Sequence, residues 1–288
     1  MKHLYNKYIL INMKRIKYRH KGFLFSIKEF RAFMRLEACF YIACIGVSGF
    51  LLFNPMSFTV LPLFLAMFFL TGSTYGYNHI TDREEDRIND NRLNIFVTNG
   101  KGVPAIVCMF AASVFFSLFL PLLPLLIFAL IILLSFAYSK MRVKKLFLVK
   151  NLYTGIGMEL DFLAGAAVGG FSPIILTCFP IGFFFGFMIN LLGDIRGYEG
   201  DLAAGAKTLP IFMGVGPSMK LAQSLFLGFS VYTLILRFHS LYPLAAFAFL
   251  ISFFLAFEKH KLARAGILSS FVVFSAFLIA IKAMEGGV

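Results

Sequence analysis

Long apolar runs, each close to the length of a bilayer crossing, alternate with short polar stretches along this chain. A transmembrane helix needs about 20 mostly apolar residues. Read against charges and Pro/Gly breaks, the pattern predicts nine such helices, over 36–53, 58–80, 103–120, 122–139, 152–169, 173–193, 219–236, 241–257 and 265–284. The run 103–139 is too long for one crossing, and Pro121 and Pro124 mark the turn that divides it. The expectation is an all-α polytopic membrane protein with about nine transmembrane helices in one bundle. Residues 1–35 form a basic N-terminal segment ahead of a membrane domain over 36–288.

Composition strengthens this picture. The apolar set makes up 59% of the 288 residues, charged residues 14%, and the mean hydropathy is +0.83. Soluble domains hold roughly 45–50% apolar and about 25% charged residues. A water-soluble globule of this size cannot hide so much apolar surface, so lipid is the expected solvent. The 38 Phe and the absence of Trp give an interior of broad π-faces with few polar handles. Cys39, Cys44, Cys108 and Cys178 all fall in apolar stretches without a CxxC, so neither a disulfide nor a thiolate metal site is expected.

Charge then orients the helices. Segment 1–35 carries ten Lys/Arg, and the loops 81–102, 140–151, 194–220 and 258–264 carry most of the rest. Only Arg237 and Lys282 fall on the other side. The excess of Lys/Arg on cytoplasmic loops places the N-terminus and these loops inside, and an odd number of crossings places the C-terminus outside. The first 35 residues lack an early apolar core with a small-residue cleavage site, so no cleavable signal peptide is expected. The basic tail suits anionic headgroups of membrane lipids. It does not suit nucleic acid, because no fold for nucleic-acid recognition follows it.

The acidic residues carry the chemistry. Eight of 14 lie in two clusters, Asp82, Glu84, Glu85, Asp86, Asp90 and then Asp194, Glu199, Asp201. Each begins where an apolar run ends, on the same predicted face. If the second helix continues, Asn78, Asp82 and Asp86 stand four apart on one side. If the sixth continues, Asn190, Asp194, Tyr198 and Asp201 also share a face, at 100° per residue. Carboxylates four apart repel in a helix, and a divalent cation between them turns the repulsion into a site. Hard oxygen ligands suit Mg²⁺, which takes one or two carboxylates plus substrate phosphates. Two facing carboxylate sets at a membrane surface fit a metal-bound diphosphate. The competing reading is a pair of solvated loop charge runs.

These residues resemble the UbiA superfamily of intramembrane aromatic prenyltransferases. Its first motif has the form NDxxDxxxD; Asn78, Asp82 and Asp86 match, and His79 stands in place of the usual Asp. Its second motif ends in Asp, followed by a Gly-(Lys/x)-Thr-Leu-Pro stretch. Asp194-Ile-Arg-Gly-Tyr-Glu-Gly-Asp201 and Gly205-Ala-Lys207-Thr208-Leu209-Pro210 match it, with Gly197 where many members carry Asp. The resemblance covers about 30–284 and includes Tyr138-Ser139 before a basic run. It implies Mg²⁺-dependent transfer of a polyprenyl group from its diphosphate to a lipophilic or aromatic acceptor at the cytoplasmic face. Such acceptors include a quinone precursor, a prenyl glycerol phosphate, a chlorin or a carotenoid. Asp82, Asp86, Asp194 and Asp201 would be the catalytic metal ligands. Asn78, Arg92, Lys144, Lys207, Asn190 and Tyr198 would contact the diphosphate.

Other residues keep two readings. Glu159 and Asp161 lie inside the fifth predicted helix, either orienting an acceptor or as buried carboxylates with partners. Their spacing of two puts them on different faces. Lys140, Arg142, Lys144, Lys145, Lys150 and Arg35 either grip the diphosphate or anchor the chain at the membrane surface. His79 either replaces a ligand or hydrogen-bonds at a helix end, and Tyr198 is either a site residue or an interfacial anchor. A membrane transporter with an acidic cation site is the alternative function, although its carboxylates belong near the midplane. A CDP-alcohol phosphotransferase needs an Asp-Gly-x-x-Ala-Arg start that this chain lacks.

Overall fold

The computed structural model describes residues 23–81, 83, 94–140, 148–203 and 205–285. Every regular element in them is helical. The helices are α1 (Phe23–Met34), α2 (Leu36–Phe53), α3 (Val60–Thr81), α4 (Ile95–Thr98), α5 (Gly102–Ser117), α6 (Leu122–Lys140) and α7 (Val149–Ala166). They continue with α8 (Pro173–Thr177), α9 (Pro180–Arg196), α10 (Tyr198–Ala203), α11 (Leu209–Met213), α12 (Val215–Ile235), α13 (Tyr242–Ala256) and α14 (His260–Glu285).

Among the described residues, five stretches are long and apolar enough to cross a membrane: Leu36–Phe53, Val60–Thr81, Pro173–Arg196, His239–Ala256 and Lys261–Met284. Gly102–Ser117 and Leu122–Tyr138 are apolar but shorter. The exposed faces carry large apolar side chains, among them Phe58, Leu133, Phe115, Phe249 and Ile235. So wide an exposed apolar surface is stable only against lipid.

The helices close into a ring. α2 packs on α3, α3 on α5 and α6, α6 on α7, α7 on α9, and α9 on α12 and α14. α12 packs on α13, α13 on α14, and α14 returns to α2. α2 and α7 also meet across the middle. Gly46 and Gly49 of α2 face Gly165 and Phe162 of α7 there, and a Cβ on Gly165 would sit 2.8 Å from Phe50 N and closer still to Gly46 O. Small residues let helix backbones touch, the usual route to tight packing where lipid removes a hydrophobic drive between helices. Asn54 then ties the two helix ends together, its amide donating to the carbonyls of Phe50 (3.0 Å), Gly165 (3.3 Å) and Ala166 (3.2 Å). Ser48 and Ser275 hydrogen-bond at 2.9 Å between α2 and α14.

Three features depart from the sequence expectation. Residues 23–34, read as part of a basic tail, form α1, and Phe33 and Met34 at its end are buried beside Met109 and Ile106 of α5. The predicted 173–193 crossing is broken, with α8 ending at Thr177 and α9 starting at Pro180, where proline lacks the donor to continue the earlier helix. The third departure lies in the second acidic cluster and is described with the site.

The break between α8 and α9 gives Glu159 its place. A helix start leaves its first amides without partners, and Glu159 of α7 accepts from Phe183 N at 2.8 Å, in the first turn of α9. The carboxylate therefore caps a neighbouring helix inside the bundle. Replacing Glu159 by Leu should lower stability by about 1–3 kcal/mol, since it strands buried donors. Glu159→Gln, which still accepts, should lose less. Thermal unfolding in detergent followed by fluorescence size exclusion separates the two.

Candidate active site

The second acidic cluster sits where α9, α10, α7 and the start of α11 meet. Asp194, in the last turn of α9, is buried (4% exposed) and ion-pairs with Lys150 Nζ of α7. A buried carboxylate needs such a partner, because an unpaired charge away from water is costly. One turn earlier, Asn190 Nδ2 donates to Thr154 Oγ1 of α7 at 2.6 Å. Asn190 and Asp194 thus both face α7, and the Asn190 amide is engaged in the helix contact.

α9 does not continue to Asp201. It ends at Arg196, Gly197 forms a turn, and α10 starts at Tyr198. The departure is local, since Gly197 N still donates to Gly193 O (2.9 Å) and Asp201 N to Gly197 O (2.9 Å). Its effect is on the carboxylate. Asp201 Oδ2 lies 3.7 Å from where a Gly197 Cβ would stand, so the side chain folds back over the glycine.

Asp201 is half-buried, and partial burial pushes its carboxyl above the usual range. Lys150 pulls it back down, and the neighbouring Asp194 charge pushes it up again. Asp194 thus holds Lys150 directly, and Asp201 feels the charges of both. A small cleft opens at this point, lined by Leu148, Lys150, Asn151, Asp194, Lys207, Thr208 and Leu209. Thr208 is buried at 8% exposure, and its Oγ1 has no hydrogen-bond partner among the described residues. Lys207 is exposed on the rim.

The structure thus brings Asp194 and Lys207 to one cleft with Lys150, which the sequence left between two roles, and leaves Asp201 within electrostatic reach of Lys150. Asn151 and Thr208 line the same cleft and were not singled out. Thr208 was readable as part of Lys207-Thr208-Leu209-Pro210, but nothing in a sequence shows that its hydroxyl is buried without a partner. Tyr198 is half-buried at the start of α10. Asn78 lies half-buried in the last turn of α3, and His79 beside it stacks on the Phe33 ring, with centroids 5.8 Å apart. Asp82, Asp86, Arg92 and Lys144 lie outside the described residues. Tyr138 packs against Tyr153 of α7, with ring centroids 5.2 Å apart.

The donor set suits a small hard dication in part. Among the described residues no group of three or more His, Cys, Asp or Glu is close enough to hold a metal. Two carboxylates are present, and Mg²⁺ commonly takes one or two with the rest from phosphate and water. Asp194 already pairs with an ammonium group, and burial first, then the Asp194 charge, raises Asp201, a penalty that a bound cation offsets. A second pocket lies between α3, α5 and α6. Its wall is Leu70, Ser73, Thr74, Tyr77, Ile106, Phe110, Ser135 and Phe136, largely apolar.

Comparison with known proteins follows the same line. A model of the UbiA prenyltransferase family matches residues 38–281. Two digeranylgeranylglyceryl phosphate synthases are similar in sequence. The one from Methanopyrus kandleri is 30% identical over 161 residues, covering 54% of this chain and 58% of that protein. The one from Natronomonas pharaonis is 30% identical over 173 residues, covering 59% and 61%. The matched region thus spans about three fifths of the length of these curated relatives. In three dimensions the chain is similar to a UbiA homologue from Archaeoglobus fulgidus bound to GPP and Mg²⁺. The TM-score is 0.72 at 21% identity, covering 90% of this chain and 100% of that one. At that identity the likeness speaks for the fold.

Proposed function

From the premise that this chain belongs to the UbiA prenyltransferase family, and is therefore an integral membrane enzyme that transfers prenyl groups, we propose that its donor is a polyprenyl diphosphate and its acceptor a prenylated glycerol phosphate. The observation that carries the reading is the cleft where Lys150 pairs with buried Asp194 beside Lys207 and Thr208, with Asp201 within electrostatic reach of both charges. The similarity to digeranylgeranylglyceryl phosphate synthases supports this acceptor over a quinone precursor. Family membership replaces the transporter alternative.

In this reading the chain crosses the membrane nine times. The N-terminus and the acidic cleft face the cytoplasm, as the Lys/Arg distribution favours. Asp194 and Asp201, together with Asp82 and Asp86 of the first motif, would hold Mg²⁺. When bound, the ion supplies Lewis-acid neutralisation of the leaving diphosphate. Lys207 and Lys150 contribute positive charge at the same oxygens, and the Thr208 hydroxyl offers a donor already free of other partners. Asn78, Arg92, Lys144, Asn190 and Tyr198 complete the diphosphate surroundings.

The bond between C1 of the prenyl chain and the diphosphate oxygen breaks, leaving an allylic cation and diphosphate. The acceptor hydroxyl oxygen attacks C1, and its proton is lost to solvent or to a carboxylate. Tyr77, Phe110 and Phe136 present π-faces along the apolar pocket, which suits both the prenyl tail and exclusion of water that would quench the cation.

The test is transfer from geranylgeranyl diphosphate to geranylgeranylglyceryl phosphate by purified protein in nanodiscs, with the ether product identified by mass spectrometry. Chelation with excess EDTA should bring turnover to background, and added Mg²⁺ should restore it. Unchanged turnover after thorough chelation would rule out the metal-held diphosphate. Transfer to hydroxybenzoate but not to the glycerol phosphate would move the acceptor to the aromatic class.

A further inference from the structure

Lys150 is the second residue of α7. A helix start carries partial positive charge, so an ammonium group in the first turn stands where the helix dipole disfavours it. Its backbone is fixed there. Thr154 Oγ1 donates to Lys150 O at 3.1 Å and accepts from Asn190 Nδ2 at 2.6 Å, which ties the first turn of α7 to α9. One turn along α9 from Asn190, the buried Asp194 carboxylate pairs with Lys150 Nζ. Burying such a pair gains little stability, because desolvation of the two charges offsets their attraction.

Both partners line the cleft that also holds Lys207 and the unpartnered Thr208 hydroxyl. A dication on Asp194 and the Lys150 ammonium on the same carboxylate would stand about 4 Å apart, where like charges in a half-buried site repel strongly. Lys150 then has to leave, and its side chain is only 22% exposed, so it needs another anion. A diphosphate in the same cleft provides one. Lysine is a compact charge on a flexible four-carbon stem, and it can swing between two anions while its backbone stays in place. Charge balance acts in the same direction. A metal ion alone adds positive charge beside Lys150 and Lys207, and diphosphate alone adds negative charge beside Asp194 with Asp201 in reach. Together they largely cancel.

We propose that Lys150 is an exchange residue: it competes with the metal ion for Asp194 and yields that carboxylate only when diphosphate takes the ammonium, so that metal and diphosphate enter the cleft together. The proposal rests on the function proposed above for the site, and adds the order in which its two ligands are held. Lys150 is thus a positioning residue twice over. Paired with Asp194 it keeps the buried carboxylate from taking a metal without substrate, and paired with diphosphate it holds the leaving group beside Lys207 and Thr208.

Binding of Mn²⁺ and inorganic diphosphate to the full-length protein in nanodiscs of neutral lipid tests this. Ultrafiltration separates protein-bound Mn²⁺ from the free ion and from its soluble diphosphate complex, and electron paramagnetic resonance counts it. In the native protein, diphosphate should tighten Mn²⁺ on the order of a hundredfold, and Mn²⁺ should tighten diphosphate by the same factor. Lys150→Met should tighten Mn²⁺ alone by about tenfold and weaken metal-free diphosphate by about tenfold, shrinking the coupling between them. Opposite shifts for two ligands are not what a loosened fold produces. The gain in Mn²⁺ affinity should vanish when Asp194→Asn is added, which assigns it to that carboxylate. Lys150→Gln keeps a donor for Asp194 without the charge, should shift both affinities in the same directions, and serves if the Met variant does not fold. Unchanged Mn²⁺ affinity in both variants, or weakening of both ligands, would overturn the exchange and leave a metal-held diphosphate standing. Failure of either ligand to bind the native protein in an Asp194-dependent way would overturn the exchange and the proposed reaction together.

Discussion

Replacing Asp201 by Asn should lower prenyl transfer on the order of 10²–10³-fold, the scale seen when one preorganised electrostatic contact to a developing charge is removed. Asn keeps the shape and the backbone hydrogen bond to Gly197 O but removes the charge. Half-buried and exposed to the Asp194 charge, Asp201 is a group whose ionised form is held in place by a cation. Loss of that charge should fall mainly on the rate of the chemical step and on Mg²⁺ affinity, and little on expression or thermal stability. Turnover with saturating donor, set beside the melting temperature of the same sample, gives both numbers. Full activity in Asp201→Asn would remove this residue from the ligand set.

The second large effect is on the fold. Substituting Gly165 by Ala should destabilise the bundle by about 3 kcal/mol or more, at the upper end of overpacking penalties. The added methyl would overlap the Gly46 carbonyl and press on Phe50 N. Those atoms are backbone, and no rotamer change moves them. The Asn54 bridge to Gly165 O and Ala166 O would be displaced as well. Gly157 is an internal control, because a Cβ there meets nothing within 4 Å. Gly157→Ala should unfold within a degree or two of the native protein, while Gly165→Ala should aggregate at much lower temperature.

Apolar run length made the helices legible. The predicted 36–53 coincides with α2, and 58–80 and 122–139 lie within two residues of α3 and α6. Boundaries slipped where a helix extends past its apolar part. α7 starts at Val149, before the predicted 152, because Lys150 and Asn151 turn inward to a polar cleft rather than out to water. α14 starts at His260, before the predicted 265, with the part-buried Arg264 inside its first turns. The break at Pro180 was written in the sequence, yet a run of apolar residues on both sides masked it. What satisfies the break, Glu159 from another helix, depends on a contact no periodicity shows.

The site was legible as residue types more than as geometry. Asp194, Asp201 and Lys207 were read from motif spacing; Asp194 and Lys207 line one cleft, and Asp201 lies within electrostatic reach of Asp194. The single continuous face over Asn190, Asp194, Tyr198 and Asp201 required an unbroken helix, and Gly197 ends it. Lys150 was indistinguishable from its basic neighbours in sequence; only its pairing with buried Asp194 sets it apart.

Electron paramagnetic resonance of Mn²⁺, substituted for Mg²⁺, with a non-ionising thio-diphosphate donor tests the central claim most directly. If Asp194 and Asp201 hold a metal-bound diphosphate, bound Mn²⁺ will show hyperfine coupling to donor phosphorus, and both Asp194→Asn and Asp201→Asn will abolish it. Phosphorus-coupled Mn²⁺ of unchanged affinity in both variants would contradict the account.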